Sequence, residues 1–315
     1  MPGQNVCAEG IRRLIVVTGP TASGKTALAI DVAEALGTDV ISADSRQMFR
    51  GMPVTTARPD DSELARVRHH FIETLELDQY YSAACYETDV LALLPQLAVK
   101  GDTAVMCGGS MMYVDAVVRG IDPMPTISAE VRERVFDMRE KLGDEGLLAY
   151  LQIADPLSYQ RVDKANMRRV MHAIEVTMQA GRPYSELCGA PRPQRPFEVM
   201  KFAIDMPREQ LFDRINRRVD KMVDMGMREE ALGLYPRRHL NSLNTVGLKE
   251  WFACFDGLMA SDTAIARIKK NTRVYAKKQL TWLAADPDVR RLDASGDLAG
   301  QLLEAISKCS GKRGV

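Results

Sequence analysis

The stretch Val16–Thr26, V-V-T-G-P-T-A-S-G-K-T, constrains this chain more than any other. Leu14 to Val17 is an unbroken apolar run, the pattern of a strand buried on both faces. Gly19, Gly24, Lys25 and Thr26 follow at the spacing G-x-x-x-x-G-K-[ST], and Ala27 to Leu36 continues as a helix-forming run. A strand, a glycine-rich turn and a helix start make an anion cradle, because backbone N–H groups converge there and the helix start adds partial positive charge. Gly19, Pro20, Thr21, Ala22, Ser23 and Gly24 are therefore expected to bind a diphosphate or nucleotide. Lys25 supplies a point charge for terminal phosphate oxygens, and Thr26 a hydroxyl for Mg²⁺. The fold class that follows is α/β, a P-loop NTPase-like parallel sheet flanked by helices.

Asp39–Ser42 (D-V-I-S) reads as a second strand, ending in Asp44-Ser45-Arg46-Gln47. Ligands of open parallel sheets meet side chains just beyond the carboxyl ends of strands, so Asp44 is expected beside the phosphate loop as a proton acceptor. An Asp and a Ser at this point also suit a helix cap. Thr103–Cys107 is a third buried strand, followed by Gly108-Gly109-Ser110. The glycine pair lets backbone approach a ligand, and Ser110 is expected to face the cleft. No Asp closes this strand, so the Mg²⁺-holding carboxylate common in phosphate-loop NTPases is missing there and ATP hydrolysis loses support. His69 and His70 sit at a strand edge and point opposite ways, which favours packing or turn roles. Ser82 is placed to cap a helix running to about Lys100, with Pro95 kinking or dividing it.

Gly120–Ser128 and Gly189–Pro196 have linker composition, and the pattern between them is helical from Ser128 to Ala180, broken at Gly143. The expected organisation is a P-loop core over 1–125 plus 197–315 and an inserted all-helical domain over 126–196. Phe197–Asp205 resumes as a strand, and Pro207 opens a basic helix carrying Arg208, Arg214, Arg217, Arg218 and Lys221 that closes at Gly226. Gly233 to Val246 reads as irregular. Ser261–Ala285 reads as a long helix with Ile265, Ile268, Thr272, Tyr275, Gln279 and Trp282 on one side. Arg267, Lys270, Arg273, Lys277 and Lys278 gather on the opposite arc. Lys+Arg and Asp+Glu both total 42, so net charge excludes no partner, but this local stripe suits a polyanion. The six cysteines are scattered without a C-x-x-C pair, as in reduced cytoplasmic proteins. No apolar run approaches membrane-spanning length and Met1–Arg13 lacks a signal-peptide core, so a cytoplasmic protein without a membrane anchor is expected.

On residues alone, a nucleoside or metabolite kinase with Asp44 activating the acceptor fits, and so does a non-catalytic RNA-binding protein that holds a nucleotide structurally. The order of motifs resembles tRNA dimethylallyltransferases, also called tRNA isopentenyltransferases. The matching pieces are Gly19–Thr26, Asp44–Gln47 (D-S-R-Q) with Gly51-Met52, His69-His70-Phe71 and Tyr81-Ser82-Ala83. Gly108–Tyr113 (G-G-S-M-M-Y), Arg168–Glu175 and Tyr275–Trp282 (Y-A-K-K-Q-L-T-W) complete the set, which spans Val16 to about Ala285.

The resemblance implies transfer of a dimethylallyl group from its diphosphate to N6 of the adenosine just 3′ of the anticodon, by a monomer that needs Mg²⁺. The phosphate loop would hold the leaving pyrophosphate in place of ATP, with Arg214 or Arg218 completing the clamp. Asp44 would be the general base and Ser110 the hydroxyl that helps orient it. Ser45, Arg46 and Gln47 would contact the target base and its neighbours, and Lys277 and Lys278 the RNA backbone. The helical insert would grip the anticodon stem-loop through Arg132 and the run Arg168, Arg169, Val170, Met171 and His172. Four positions depart from the family pattern. Ser110 stands for Thr, Val54-Thr55-Thr56 lacks the glycine before Thr56, Leu248 stands for an aromatic residue, and Lys278 for Arg.

Overall fold

Among the described residues, short runs that are apolar at the centre and polar at the His69–His70 edge make one six-stranded sheet in which every neighbouring pair is parallel. The computed structural model describes residues 10–310. In chain order its elements begin with β1 (Arg13–Thr18), α1 (Lys25–Leu36), β2 (Val40–Ser42), α2 (Pro53–Thr56), α3 (Asp61–Arg66) and β3 (His69–His70). Then come α4 (Ala83–Leu97), β4 (Thr103–Gly108), α5 (Met111–Arg119), α6 (Ala129–Ala154), α7 (Pro156–Arg161), α8 (Met167–Ala180) and α9 (Tyr184–Leu187). The chain finishes with β5 (Glu198–Asp205), α10 (Arg208–Asp224), α11 (Met227–Leu234), α12 (Leu248–Phe255), α13 (Ser261–Ala284), β6 (Val289–Asp293) and α14 (Leu298–Ser310).

The strand order is β3-β2-β4-β1-β5-β6, which puts β1 and its phosphate loop near the middle. Leu14, Ile15, Val16 and Val17 have no exposed surface, as a strand covered on both faces requires. Thr18 pairs with Gly108, and Ser42 with Cys107, so β1, β2 and β4 end level with one another. That register brings the phosphate loop, Asp44 and Ser110 to one edge of the sheet. Local sequence sets several helix starts. Asp60 and Glu63 form a capping box before α3, and the Ser82 hydroxyl accepts the Cys85 N–H before α4. Pro95 lies inside α4 without dividing it.

One apolar cluster packs α1 and α14 on the sheet through Ile30, Val105, Phe202 and Leu302. A second joins α10 to α13 through Met222, Met227, Leu248, Trp251 and Ile268. Helix α11 is absent from the sequence reading. Glu229, Glu230 and Gly233 obscure its apolar spacing, and it holds its place by burying Met227, Ala231 and Leu234.

The chain divides into two units, the one just described and a smaller one over Arg119–Gln194. The smaller unit starts seven residues before the expected 126, since the presumed linker is tied to it: Asp122 accepts the Gly189 N–H, and Met124 packs with Ile127, Val176 and Leu187. Its main core contains Val135, Leu147, Leu151, Val170, Met171 and Ile174. Gly143 takes φ 67° and kinks α6. Asp155, 1% exposed, accepts hydrogen bonds from the backbone and hydroxyls of both Ser158 and Ser185, which fastens α7 to α9. Val170 has no exposed surface, so Val170→Asp places an unpaired carboxylate in this core. A loss of roughly 3 kcal/mol or more is expected, read as an early unfolding transition of the variant in a denaturant titration.

Candidate active site

The cradle is built by backbone conformation. Ala22 adopts φ 65°, and Gly24 caps α1 at φ 98°, a left-handed geometry that disfavours any side chain. The loop turns back on itself through the Ser23 N–H to Pro20 carbonyl bond of 3.2 Å, so Lys25 and Thr26 open α1 with their side chains in the cleft. Burial pushes the Lys25 ammonium below the ordinary lysine range, Arg218 adds to that, and Cys107 and Asp44 oppose it. Burial likewise lowers Arg218, with Asp44 opposing. Cys107 lies behind the loop with its thiol pushed up to about 11 by burial, which makes it an inert wall.

Asp44 is half-buried just past β2. Its Oδ1 accepts the N–H groups of Arg46 at 2.9 Å and Gln47 at 3.3 Å, an arrangement that fixes the carboxylate, while Oδ2 accepts no hydrogen bond among the described residues. The expected Ser110–Asp44 pairing is replaced by a different one. The Ser110 hydroxyl accepts the Ser45 N–H at 2.9 Å and donates to the Ser45 hydroxyl at 3.2 Å. Ser110 therefore orients the D-S-R-Q turn, while the turn's own backbone orients Asp44. The other two polar side chains of this turn also have partners within the chain. The Arg46 guanidinium donates to the carbonyls of Asn241, Ser242 and Asn244, and the Gln47 amide donates to those of Thr56 and Ala57. Both side chains spend these donors on loop backbone, since carbonyls left by two short connections lie within their reach.

Lys25, Thr26, Asp44, Ser45, Ser110 and Arg218 line one cavity of about 360 Å³, together with apolar Val219, Met222, Met227 and Ile268. On the far side of the loop, a more open cavity of about 530 Å³ is bounded by Gly24, Lys25, Thr26, Arg214, Arg217 and Arg218. Arg218 faces both cavities and Arg214 only the second, which orders the two candidates for the clamp. Arg217 is taken by Asp213 one turn earlier.

Helix α13 supplies the wall that sequence reading did not assign. Gln279, buried, accepts the Thr21 N–H at 2.9 Å and donates to the Gly109 carbonyl at 2.8 Å. The buried stripe of α13 is Ala264, Ile268, Ala276, Gln279 and Leu283, with Tyr275 and Trp282 at its margin. Arg267, Lys270, Lys277 and Lys278 are exposed as expected, whereas Arg273 bonds Asn216 of α10. Two buried-facing carboxylates also escaped notice. Glu230 accepts the N–H groups of Val54 and Thr55 at 2.8 Å, and Glu250 accepts those of Gly247 and the Asn271 amide at 2.7 Å.

In the smaller unit, α8 exposes Arg168, Arg169 and His172 and half-exposes Arg132 beside it. The His172 ring meets Tyr184 edge-on, and that desolvation, then the charges of Arg132 and Arg168, lower its pKa. Val170 and Met171, expected at the RNA surface, point the other way into the core, as about 100° per residue demands.

A family model described as IPP transferase matches residues 47–286. The chain is 47% identical over 276 residues to tRNA dimethylallyltransferase 2 of Parabacteroides distasonis, covering 88% of this chain and 92% of that one. It is 45% identical to tRNA dimethylallyltransferase 1 of Bacteroides fragilis, over 89% and 93% of the two chains. The chain belongs to the IPP transferase family.

Among solved structures, the tRNA isopentenylpyrophosphate transferase of Bacillus halodurans is 31% identical with a TM-score of 0.70, covering 96% of both chains. A eukaryotic dimethylallyltransferase acting on tRNA shares the fold at TM-score 0.80 and 22% identity, over 96% of this chain and 80% of that one. This IPP transferase absorbs its departures from the family pattern in visible ways. Leu248, fully buried, fills the aromatic position inside the α10–α13 core. Val54 and Thr55 follow Pro53 in the first turn of the short α2, and Glu230 satisfies their N–H groups in place of a helical partner. Lys278 stays on the surface, where it acts as a point charge without the fork of an Arg.

Proposed function

We propose that this enzyme transfers a dimethylallyl group from dimethylallyl diphosphate to N6 of the adenosine 3′ of the anticodon in tRNA. The observation that carries this reading is the single cavity that combines phosphate-binding cations, an apolar wall and a carboxylate. A diphosphate suits Lys25, Thr26, Arg218 and the loop amides, with Arg214 at the rim. A five-carbon chain suits Met222, Met227 and Ile268. Asp44 is left to receive a proton.

In the reaction, the allylic C–O bond breaks and its electron pair leaves with pyrophosphate, where loop amides, Lys25 and Arg218 stabilise the charge. The N6 lone pair forms the new C–N bond, and the N6 proton passes to Asp44 Oδ2. Among the described residues no cluster of three or more His, Cys, Asp or Glu is gathered to hold a metal. The hydroxyl of Thr26, lining both cavities, is a hard oxygen donor that fits Mg²⁺ with water and diphosphate oxygens as the other ligands. Such an ion would neutralise charge on the leaving group. Ser45, with Ser110 behind it, would meet the adenine once it has left its stack. Incubation with unmodified tRNA and labelled dimethylallyl diphosphate tests the reading, and a parallel reaction with γ-labelled ATP tests the kinase alternative.

Arg132, Arg168, Arg169 and His172 are the groups we assign to the anticodon stem-loop, and Lys277 and Lys278 to its backbone. Replacing Arg168 and Arg169 together with Ala should reduce the salt slope of tRNA binding by roughly one to two while leaving pyrophosphate affinity unchanged. An unchanged slope would remove those residues from the interface. We propose that the enzyme acts as a monomer. Its tRNA substrate puts it in the cytoplasm, and among the described residues no helix is long and apolar enough to cross a membrane.

A further inference from the structure

Gln279 is 3% exposed, yet both ends of its amide are engaged. Its Oε1 holds the Thr21 N–H of the phosphate loop, and its Nε2 holds the Gly109 carbonyl in the turn that carries Ser110. A Cβ at Gly109 would collide with the amide nitrogen of Gln279 and crowd the Gly19 carbonyl, so a side chain there would have to displace the amide. Packing alone would be served by an apolar side chain, since burying an amide is tolerated only when its partners are in register. One buried group thus connects the side of the cavity that binds phosphate with the side that binds the acceptor.

We propose that Gln279 is a positioning residue that sets the phosphate loop at its working distance from Ser110 and the Asp44–Gln47 turn that Ser110 holds. It touches no reacting atom. Thr21 carries its effect to the leaving group, and Gly109 carries it through Ser110 to the D-S-R-Q turn. The inference deepens, and rests on, the transfer reaction proposed above.

Gln279→Met keeps the length of the side chain and removes both links. Calorimetric titration of the full chain with inorganic pyrophosphate should show affinity falling roughly tenfold, the worth of about one good buried hydrogen bond. The kcat for prenyl transfer should fall at least as far, with tRNA affinity within about twofold of wild type. Gly109→Ala serves as a second variant, because it displaces the amide without deleting either partner, and it should move both quantities in the same direction. If whichever of the two variants folds loses melting temperature alone, with pyrophosphate affinity and kcat within about twofold of wild type, Gln279 is merely structural. Should the wild-type protein transfer no prenyl group, the proposed function fails, and the pyrophosphate titration still decides the role of Gln279.

Discussion

Replacing Asp44 with Ala is expected to lower the turnover of prenyl transfer roughly a thousandfold, the middle of the range for loss of a positioned general base. The geometry explains why the effect should be confined to chemistry. Asp44 Oδ1 is held by two backbone N–H groups, which fix the carboxylate, and among the described residues Oδ2 has no competing hydrogen-bond donor. An exocyclic adenine amine is a weak nucleophile until its proton has somewhere to go, and no other carboxylate lines that cavity. The cations assigned to tRNA belong to α6, α8 and α13, so tRNA affinity should stay within a few-fold. Asp44→Asn, which keeps the shape and an acceptor oxygen, should be nearly as slow. Steady-state turnover measured beside a filter-binding titration separates the two effects. Turnover within a few-fold of wild type would assign Asp44 to turn capping alone.

Lys25→Ala should cost roughly 10² to 10³ in kcat/KM for the diphosphate donor, as removal of a preorganised charge at a developing anion does. On the proposed reading Lys25 would meet the leaving group, and burial, with Arg218 adding to it, lowers its pKa. The sign of the pH dependence follows from that. Only the protonated ammonium assists a diphosphate, and its pKa in the free enzyme lies below the ordinary lysine value. Pyrophosphate affinity should therefore begin to fall at a lower pH than an exposed lysine would dictate, and binding near that pH should take up a proton. In Lys25→Ala the affinity should be weaker and this component of the pH profile lost. A profile unchanged by the substitution would separate Lys25 from the diphosphate.

The parts of the molecule that sequence made plain are those where one physical requirement dominates a short segment. A strand buried on both faces must be apolar throughout, so β1 and β4 stood out, and a phosphate cradle needs its glycines and lysine at fixed spacing. The two-faced pattern of α13 survives in the structure because a helix packed on one side has to segregate its residues. Less visible were groups whose partners are far away in the chain. Gln279 and Thr21 are separated by 258 positions, and Glu230 and Val54 by 176, so nothing local marks either contact. The base-contacting roles of Arg46 and Gln47 came from the family resemblance, which carries no information on their partners within the chain. Only the positions of the 241–244 and 56–57 carbonyls show where their donors go. In α8, reading a five-residue run as one surface ignored the helical turn that sends Val170 and Met171 inward.

The most direct measurement is nucleoside mass spectrometry of unmodified tRNA incubated with the purified protein, Mg²⁺ and labelled dimethylallyl diphosphate. The expected result is label in N6-isopentenyladenosine at the adenosine 3′ of the anticodon, with one pyrophosphate released for each group transferred. Unlabelled tRNA from a folded, tRNA-binding preparation, or phosphate moved from ATP to a small acceptor instead, would contradict the assignment of this cavity to an allylic diphosphate.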